Sequence, residues 1–176
     1  MTTLSAAKAS EPSGEAKASG SHQVLTFTLG NETYGVDILR VQEIRGWAPV
    51  TRIPQSPPHV LGVLNLRGSI VPIVDLRMRF ALERAAYTAV TVIIVLSVEG
   101  VNGRRDIGVV VDGVSDVVDI DRANVRPPPD LGGQVKTEFI RGLAAVGDQM
   151  TMLLDIDRLI GGDMTTVASL PAAANA

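Results

Sequence analysis

Four landmarks in this chain occur twice in the same order, and that repetition restricts the fold more than any single motif does. Gly35-Val36 is followed by Val41 six residues after Gly35 and by Glu43 eight after. Gly108-Val109 is followed by Val114 and Asp116 at the same two spacings. Arg52-Ile53-Pro54 matches Arg126-Pro127-Pro128 at an offset of 74. Gly62 reaches Asp75 in thirteen residues by way of Gly68, and Gly142 reaches Asp155 in thirteen by way of Gly147. The ordered set predicts two copies of a unit of roughly 70–75 residues, the size of a small five-stranded barrel.

The texture within each unit is short β-type runs broken by Gly, Pro, Asn and Asp. Val24 to Leu29 alternates apolar and polar residues, Gly30-Asn31-Glu32 turns, and Tyr34 to Leu39 resumes, which is a hairpin pattern. Val60 to Leu66 and Ile70 to Val74 flank Arg67-Gly68-Ser69. Val90 to Val98 turns at Glu99–Gly103 into Ile107 to Val111, and Val114 to Ile120, Leu143 to Val146 and Met150 to Ile156 follow. Helical signals are brief, at Pro57–Val60, Leu76–Phe80 and Asp157–Ile160.

The expected fold is therefore all-β with a few short helices: two five-stranded SH3-like barrels and a short C-terminal helix. With one Trp, two Tyr and three Phe in 176 residues, one such barrel alone would bury little apolar area. Packing the two around a shared aliphatic seam removes more surface from water, at roughly 25 cal/mol per Å². The expected division is a flexible tail over 1–21, a first barrel over 22–88, a second over 89–160 and a loose tail over 161–176, with strand exchange between the barrels left open. The groove between the barrels is the natural binding site.

Enzyme chemistry is not written in this sequence. There is no cysteine, which removes disulfides, thiolate metal sites and cysteine nucleophiles, and only two histidines, His22 and His59. No dinucleotide, phosphate-loop, zinc-helix or nucleophile-elbow motif occurs. Asp112, Asp116, Asp119 and Asp121 lack the spacing of a calcium loop and read as solvated or turn-capping acids. His59, after two prolines, reads as a turn residue, and Pro127-Pro128-Pro129 as a rigid connector. The expectation is no catalytic, metal-binding or cofactor-binding residue. A net charge of −3 and a pI near 5.3 argue against nucleic acid as a partner. The longest apolar runs, such as Val92 to Leu96, span five residues, so no membrane insertion is expected. Met1 to Ser21 lacks the apolar stretch of a secretory signal, and the expected location is cytoplasmic.

Arg67-Gly68 stands apart. It places a guanidinium on an exposed turn between two apolar strands, where its fork can grip a carboxylate and its plane can lie on apolar surface. Glu43 is an available intramolecular acid, so an internal pair and a partner contact are both open readings. In Val41-Gln42-Glu43-Ile44, strand geometry puts Val41 and Glu43 on one face, one apolar and one acidic group on a protein-binding edge.

These residues resemble the chemotaxis coupling protein (CheW) family over about Gln23 to Ile160. The resemblance is carried by Phe27–Gly30, Tyr34–Ile44, Val63–Leu76 and Gly108–Val117, above all by Asn65-Leu66-Arg67-Gly68 followed by Ile70–Asp75. It implies a non-enzymatic adaptor of two SH3-like barrels. Its partners would be the regulatory domain of the chemotaxis histidine kinase CheA and the cytoplasmic tip of methyl-accepting receptors, in a membrane-associated array. By motif position, Val41, Glu43, Gly62, Arg67, Gly68, Gly108 and Val114 are the residues expected to meet receptor or kinase. The Glu99–Arg105 hairpin and the N-terminal tail depart from the family pattern. Two alternatives stand beside this reading: a coupling module of another chemosensory pathway, such as one for surface motility, and a small hydrolase or ligand-binding β-barrel.

Overall fold

The computed structural model describes residues 20–82, 86–100, 103–129 and 138–160. The expected tails, apart from Gly20 and Ser21, lie outside the described residues, as does Val101-Asn102 in the charged hairpin. Ten strands are formed. The first five are β1 (Ser21–Leu29), β2 (Glu32–Asp37), β3 (Val41–Gly46), β4 (Val60–Leu66) and β5 (Ser69–Asp75). The others are β6 (Val92–Gly100), β7 (Gly103–Val111), β8 (Gly113–Asp121), β9 (Ile140–Val146) and β10 (Gln149–Leu154).

They assemble into two five-stranded sheets, in the orders β8-β1-β2-β10-β9 and β3-β6-β7-β5-β4. The two orders are one order once β1 to β5 are matched with β6 to β10, so the internal repeat is a repeat of structure. Each sheet draws strands from both sides of residue 88. The first two strands of each repeat cross over and join the last three strands of the other. The repeats meet on two sides in each sheet: along an antiparallel edge, β1 with β8 and β6 with β3, and through a short parallel joint, Ile73–Asp75 with Gly108–Val110 in one sheet and Thr151–Leu153 with Thr33–Gly35 in the other.

The crossing explains why the central strands read as nearly continuous apolar runs: both of their faces are buried. Leu25, Phe27 and Leu29 of β1, with Ile94, Leu96 and Val98 of β6, face one core shared by both sheets. Ile93 and Val95 point the other way, onto Leu66, Val71, Ile73 and Val110, while Val24 meets Ile120, Ala144 and Leu153. The aliphatic seam is thus the main core, and a smaller cluster lies inside each sheet. Aromatics enter it sparingly, as a stack of Phe27, Tyr34 and Phe80 and as Phe139 apart from them.

The landmarks have physical causes. A Cβ on Gly108 would lie 2.5 Å from Ile73 Cδ1, and one on Gly35 would lie 2.5 Å from Val24 Cγ1, so each parallel joint needs a residue without a side chain. The N–H of Asp75 donates to the His59 carbonyl and that of Asp155 to the Phe139 carbonyl, both at 2.8 Å and 80 residues apart. Thr51, not Arg52, is the counterpart of Arg126: Thr51 bridges to Val63 beside Gly62, and Arg126 to Leu143 beside Gly142.

Helix α1 (Leu76–Arg79) and helical residues 156–160 occupy equivalent places after the last strand of each repeat. Pro57–Val60 is not helical; it closes one turn, with the Val60 N–H on the Pro57 carbonyl, because Val60 must already pair with Val74. Strand β2 stops at Asp37 rather than reaching Leu39. The Asp37 carboxylate accepts the Leu39 N–H and caps a 3-10 turn over Ile38–Arg40, and Asp121 caps its counterpart over Arg122–Asn124.

Candidate functional site

The β4–β5 turn consists of Arg67 and Gly68 alone, because Leu66 pairs with Ser69. Both central residues have positive φ, 55° and 86°, as a two-residue type I′ hairpin turn requires. The Asn65 side-chain oxygen accepts the Gly68 N–H at 2.9 Å and locks the loop. A Cβ on Gly68 would meet nothing, so glycine is present for its backbone conformation rather than for space. Arg67 pays the left-handed cost that a non-glycine residue carries there. The equivalent first position of the β9–β10 turn is Gly147, φ 58°. Of the two copies, only this turn spends strain to present a cation.

Arg67 is largely exposed, yet its Nη2 lies 4.0 Å from Glu43 Oε2 on β3. Strands β3 and β4 are opposite ends of their sheet, which laid flat would span about 19 Å at some 4.8 Å per step. The sheet is therefore curled until its ends approach. The result is a rim where an exposed guanidinium faces a half-buried carboxylate, with Gly68 beside them. These three of the seven sequence-selected residues are brought together.

The other four are placed differently. Val41 and Val114 are half-buried at the starts of equivalent strands, and each packs against the shared core. Gly108 is internal, at the parallel joint. Gly62 sits at a bulge where φ is 149° and a Cβ would collide with the Thr51 carbonyl, so the close approach of the 51–52 backbone requires glycine. Seven exposed large apolar residues went unselected: Leu39, Ile44, Ile70 and Leu82 before residue 88, and Val90, Val117 and Met150 after it. Ile44 and Val117 are equivalent, as are Ile70 and Met150. Their signal in the sequence was an apolar residue on the polar phase of an alternating strand.

The most buried charges are Asp75, 0% exposed, and its partner Arg77, 1% exposed, and sequence reading passed over this pair. The Arg77 guanidinium donates to Asp75 at 3.0 and 3.1 Å and to Asp112 at 3.1 Å, and it lies 5.0 Å from the centre of the Tyr87 ring. Burial pulls its pKa down, but the bonds and charges of Asp75 and then Asp112 outweigh this, and the pKa lies above the ordinary arginine value. The Tyr87 hydroxyl donates to Asp75 at 2.8 Å. The acids that cluster in sequence go to separate tasks: Asp112 holds Arg77 and the Gly30 N–H, while Asp121 caps a turn. The boundary between the sheets is filled by the shared core, and a polar hollow of about 220 Å³ lies beside it at Asp37, Arg40, Arg141 and Asp157. Among the described residues no helix is long and apolar enough to cross a membrane.

Fold and site together define a scaffold: two interleaved, curled five-stranded sheets that offer exposed turns and edges. Residues 23–163 match the model of the CheW-like domain. The chain is 49% identical to the chemotaxis protein CheW of Klebsiella aerogenes, over 80% of this chain and 82% of that one. It is 31% identical to the protein FrzA of Myxococcus xanthus, over 82% and 89%. The crystal structure of the scaffolding protein TtCheW from Thermoanaerobacter tengcongensis superposes with a TM-score of 0.70 at 32% identity, covering 79% of this chain and 92% of that one. The chain belongs to the CheW-like domain family and has the fold of its chemotaxis scaffolding proteins.

Proposed function

We propose that this chain is a non-enzymatic coupler. In this reading it binds the cytoplasmic tips of methyl-accepting chemotaxis receptors and the regulatory domain of the kinase CheA, and so places kinase autophosphorylation under receptor control. The observation that carries the reading is Arg67: an arginine in a left-handed conformation at an exposed turn, where the second copy uses glycine. Strain retained at one of two equivalent turns is a reason to look for function there. Arg67 with Glu43 and Gly68 forms the rim that meets a partner, and Val41 and Val114 support the adjacent strands from the core. Gly62 and Gly108 act indirectly, by letting backbone and sheet come close enough to hold that rim.

Such a rim suits interfaces near or below about 1,600 Å², made strong by repetition in an array rather than by area. The protein would then reside in the cytoplasm and reach the membrane through its receptors. The likeness to FrzA favours, as a second reading, the same coupling role in a different chemosensory pathway. Reconstitution of receptor tip fragment and kinase with and without this chain tests the proposal. Receptor control of autophosphorylation should require the chain, and control that persists without it refutes the reading.

A further inference from the structure

We propose that the cleft between β5 and β7 is a docking groove for an extended acidic peptide from a protein partner. The two strands run parallel but pair only over Ile73–Asp75 and Gly108–Val110. Upstream they part. Strand β5 remains paired with β4 back to Ser69, and β7 with β6 back to Gly103, so their facing edges have no ladder partner. Pro72, with no N–H to give, stands where the pairing stops. Between the edges lies a hollow of about 460 Å³ lined by Val63, Ile70, Pro72, Arg104 and Arg105, among others.

An unpaired strand edge is a template for another strand. The open edge Ser69–Pro72 is ~13 Å long at about 3.3 Å per residue, room for four residues of an extended chain. Ile70 is 64% exposed and supplies an apolar contact. Arg104 is held by Glu99 at 3.2 Å, whereas Arg105 makes no ion pair among the described residues. Asp106 is the one acid in the lining and Glu99 neutralises Arg104, so Arg105 is the cation that the cleft leaves for a ligand. A strand alternating apolar and acidic residues would set its apolar side chains on Ile70 and Pro72 and its carboxylates on Arg105, while its backbone pairs with the free edge.

The equivalent place in the other sheet is closed. There β2 begins at Glu32, one residue before the parallel pairing, and Thr33 Oγ1 bonds Gln149 Oε1 at 3.1 Å across the gap. Strand β7 runs on three residues past Asp106, the counterpart of Thr33, to Gly103. The cleft is thus a product of the lengthened, charged β6–β7 hairpin and lies beyond what receptor and kinase coupling at Arg67 needs.

The test uses the ¹⁵N-labelled full chain titrated with the capped peptide Glu-Val-Glu-Val-Glu, and with Lys-Val-Lys-Val-Lys as its charge-reversed control. The expected result is amide shifts confined to Ser69–Val71 and Arg104–Ile107, weakened by added salt. The acidic peptide should bind at least tenfold tighter than the basic one, and Arg105→Glu or Ile70→Asp should each lower its affinity about tenfold without altering the melting curve. Absence of binding at millimolar peptide, shifts elsewhere, or equal binding by the basic peptide would overturn the proposal. So would cleft shifts that grow with protein concentration alone, which would mean that a second copy covers the groove.

Discussion

Arg40 and Asp157 meet at 2.9 Å, and Arg77 and Asp112 at 3.1 Å: Asp157 is the charge-reversed counterpart of Arg77, and Arg40 lies one residue out of register with Asp112. In each latch, the residue two positions past the Asp that ends a repeat's last strand segment (Asp75 or Asp155) reaches the residue just before β3 or β8 of the other repeat. Each carboxylate also accepts a backbone N–H, from Glu99 to Asp157 and from Gly30 to Asp112. The first repeat supplies both arginines and the second both aspartates. Two copies of one repeat interleaved in this way would set Arg against Arg or Asp against Asp, so the charges favour pairing of unlike repeats.

Reversing one charge of the outer latch should therefore cost more than removing it. Arg40 and Asp157 are about a third exposed, so the pair itself is worth only about 1 kcal/mol. Arg40→Asp should destabilise by about 1–2 kcal/mol in urea unfolding, and the double exchange Arg40→Asp with Asp157→Arg should recover part of that loss. An exchange that is no better than the sum of its single changes would contradict the latch.

The inner latch is another matter, because Arg77 is buried. Arg77→Met strands the buried Asp75 carboxylate and should cost about 3–5 kcal/mol, several times the effect at Arg40. Chemical denaturation of the two variants side by side checks the ranking.

Glycines singled out by motif should separate by mechanism. Gly62→Ala forces a Cβ into the Thr51 carbonyl at φ 149° and should cost well over 2 kcal/mol. Gly68→Ala meets no neighbour and should cost only about 1 kcal/mol, the left-handed penalty of an alanine. Thermal melts of both variants read this difference directly.

Tyr34 titrates above its ordinary 10.0, first because it is buried and second because Glu32 is near. A raised folded pKa means that the folded state holds the proton more tightly. The contribution is fully present below the unfolded pKa and is lost as pH climbs through the folded value. Melting temperature should fall above about pH 10, and Tyr34→Phe should flatten part of that fall. An identical slope in the Phe variant would contradict the assignment.

Much of this architecture was legible in the residues. The strand segments and a turn at Arg67-Gly68-Ser69 follow from alternation and turn chemistry, although Ser69 proves to be the first strand residue, and available charge left the Arg67–Glu43 pair as one of two open readings. The interleaving of the repeats did not follow, because hydrophobic period reports which face is buried and not which strand lies alongside. Arg77 was missed for a related reason: an arginine beside aliphatic residues reads as surface until its two aspartates, one 35 residues away, are brought to it. The end of β2 was misjudged because Leu39, 83% exposed, continues the apolar pattern while Asp37 has already turned the chain.

The proposed coupling depends on the Arg67 guanidinium, and Arg67→Glu reverses its charge in a reconstituted mixture of receptor tip fragment, kinase and this protein. The predicted result is lost receptor control of autophosphorylation and weakened capture of at least one partner, with stability within about 0.5 kcal/mol of the parent. A variant that captures both partners and restores full kinase control would contradict it.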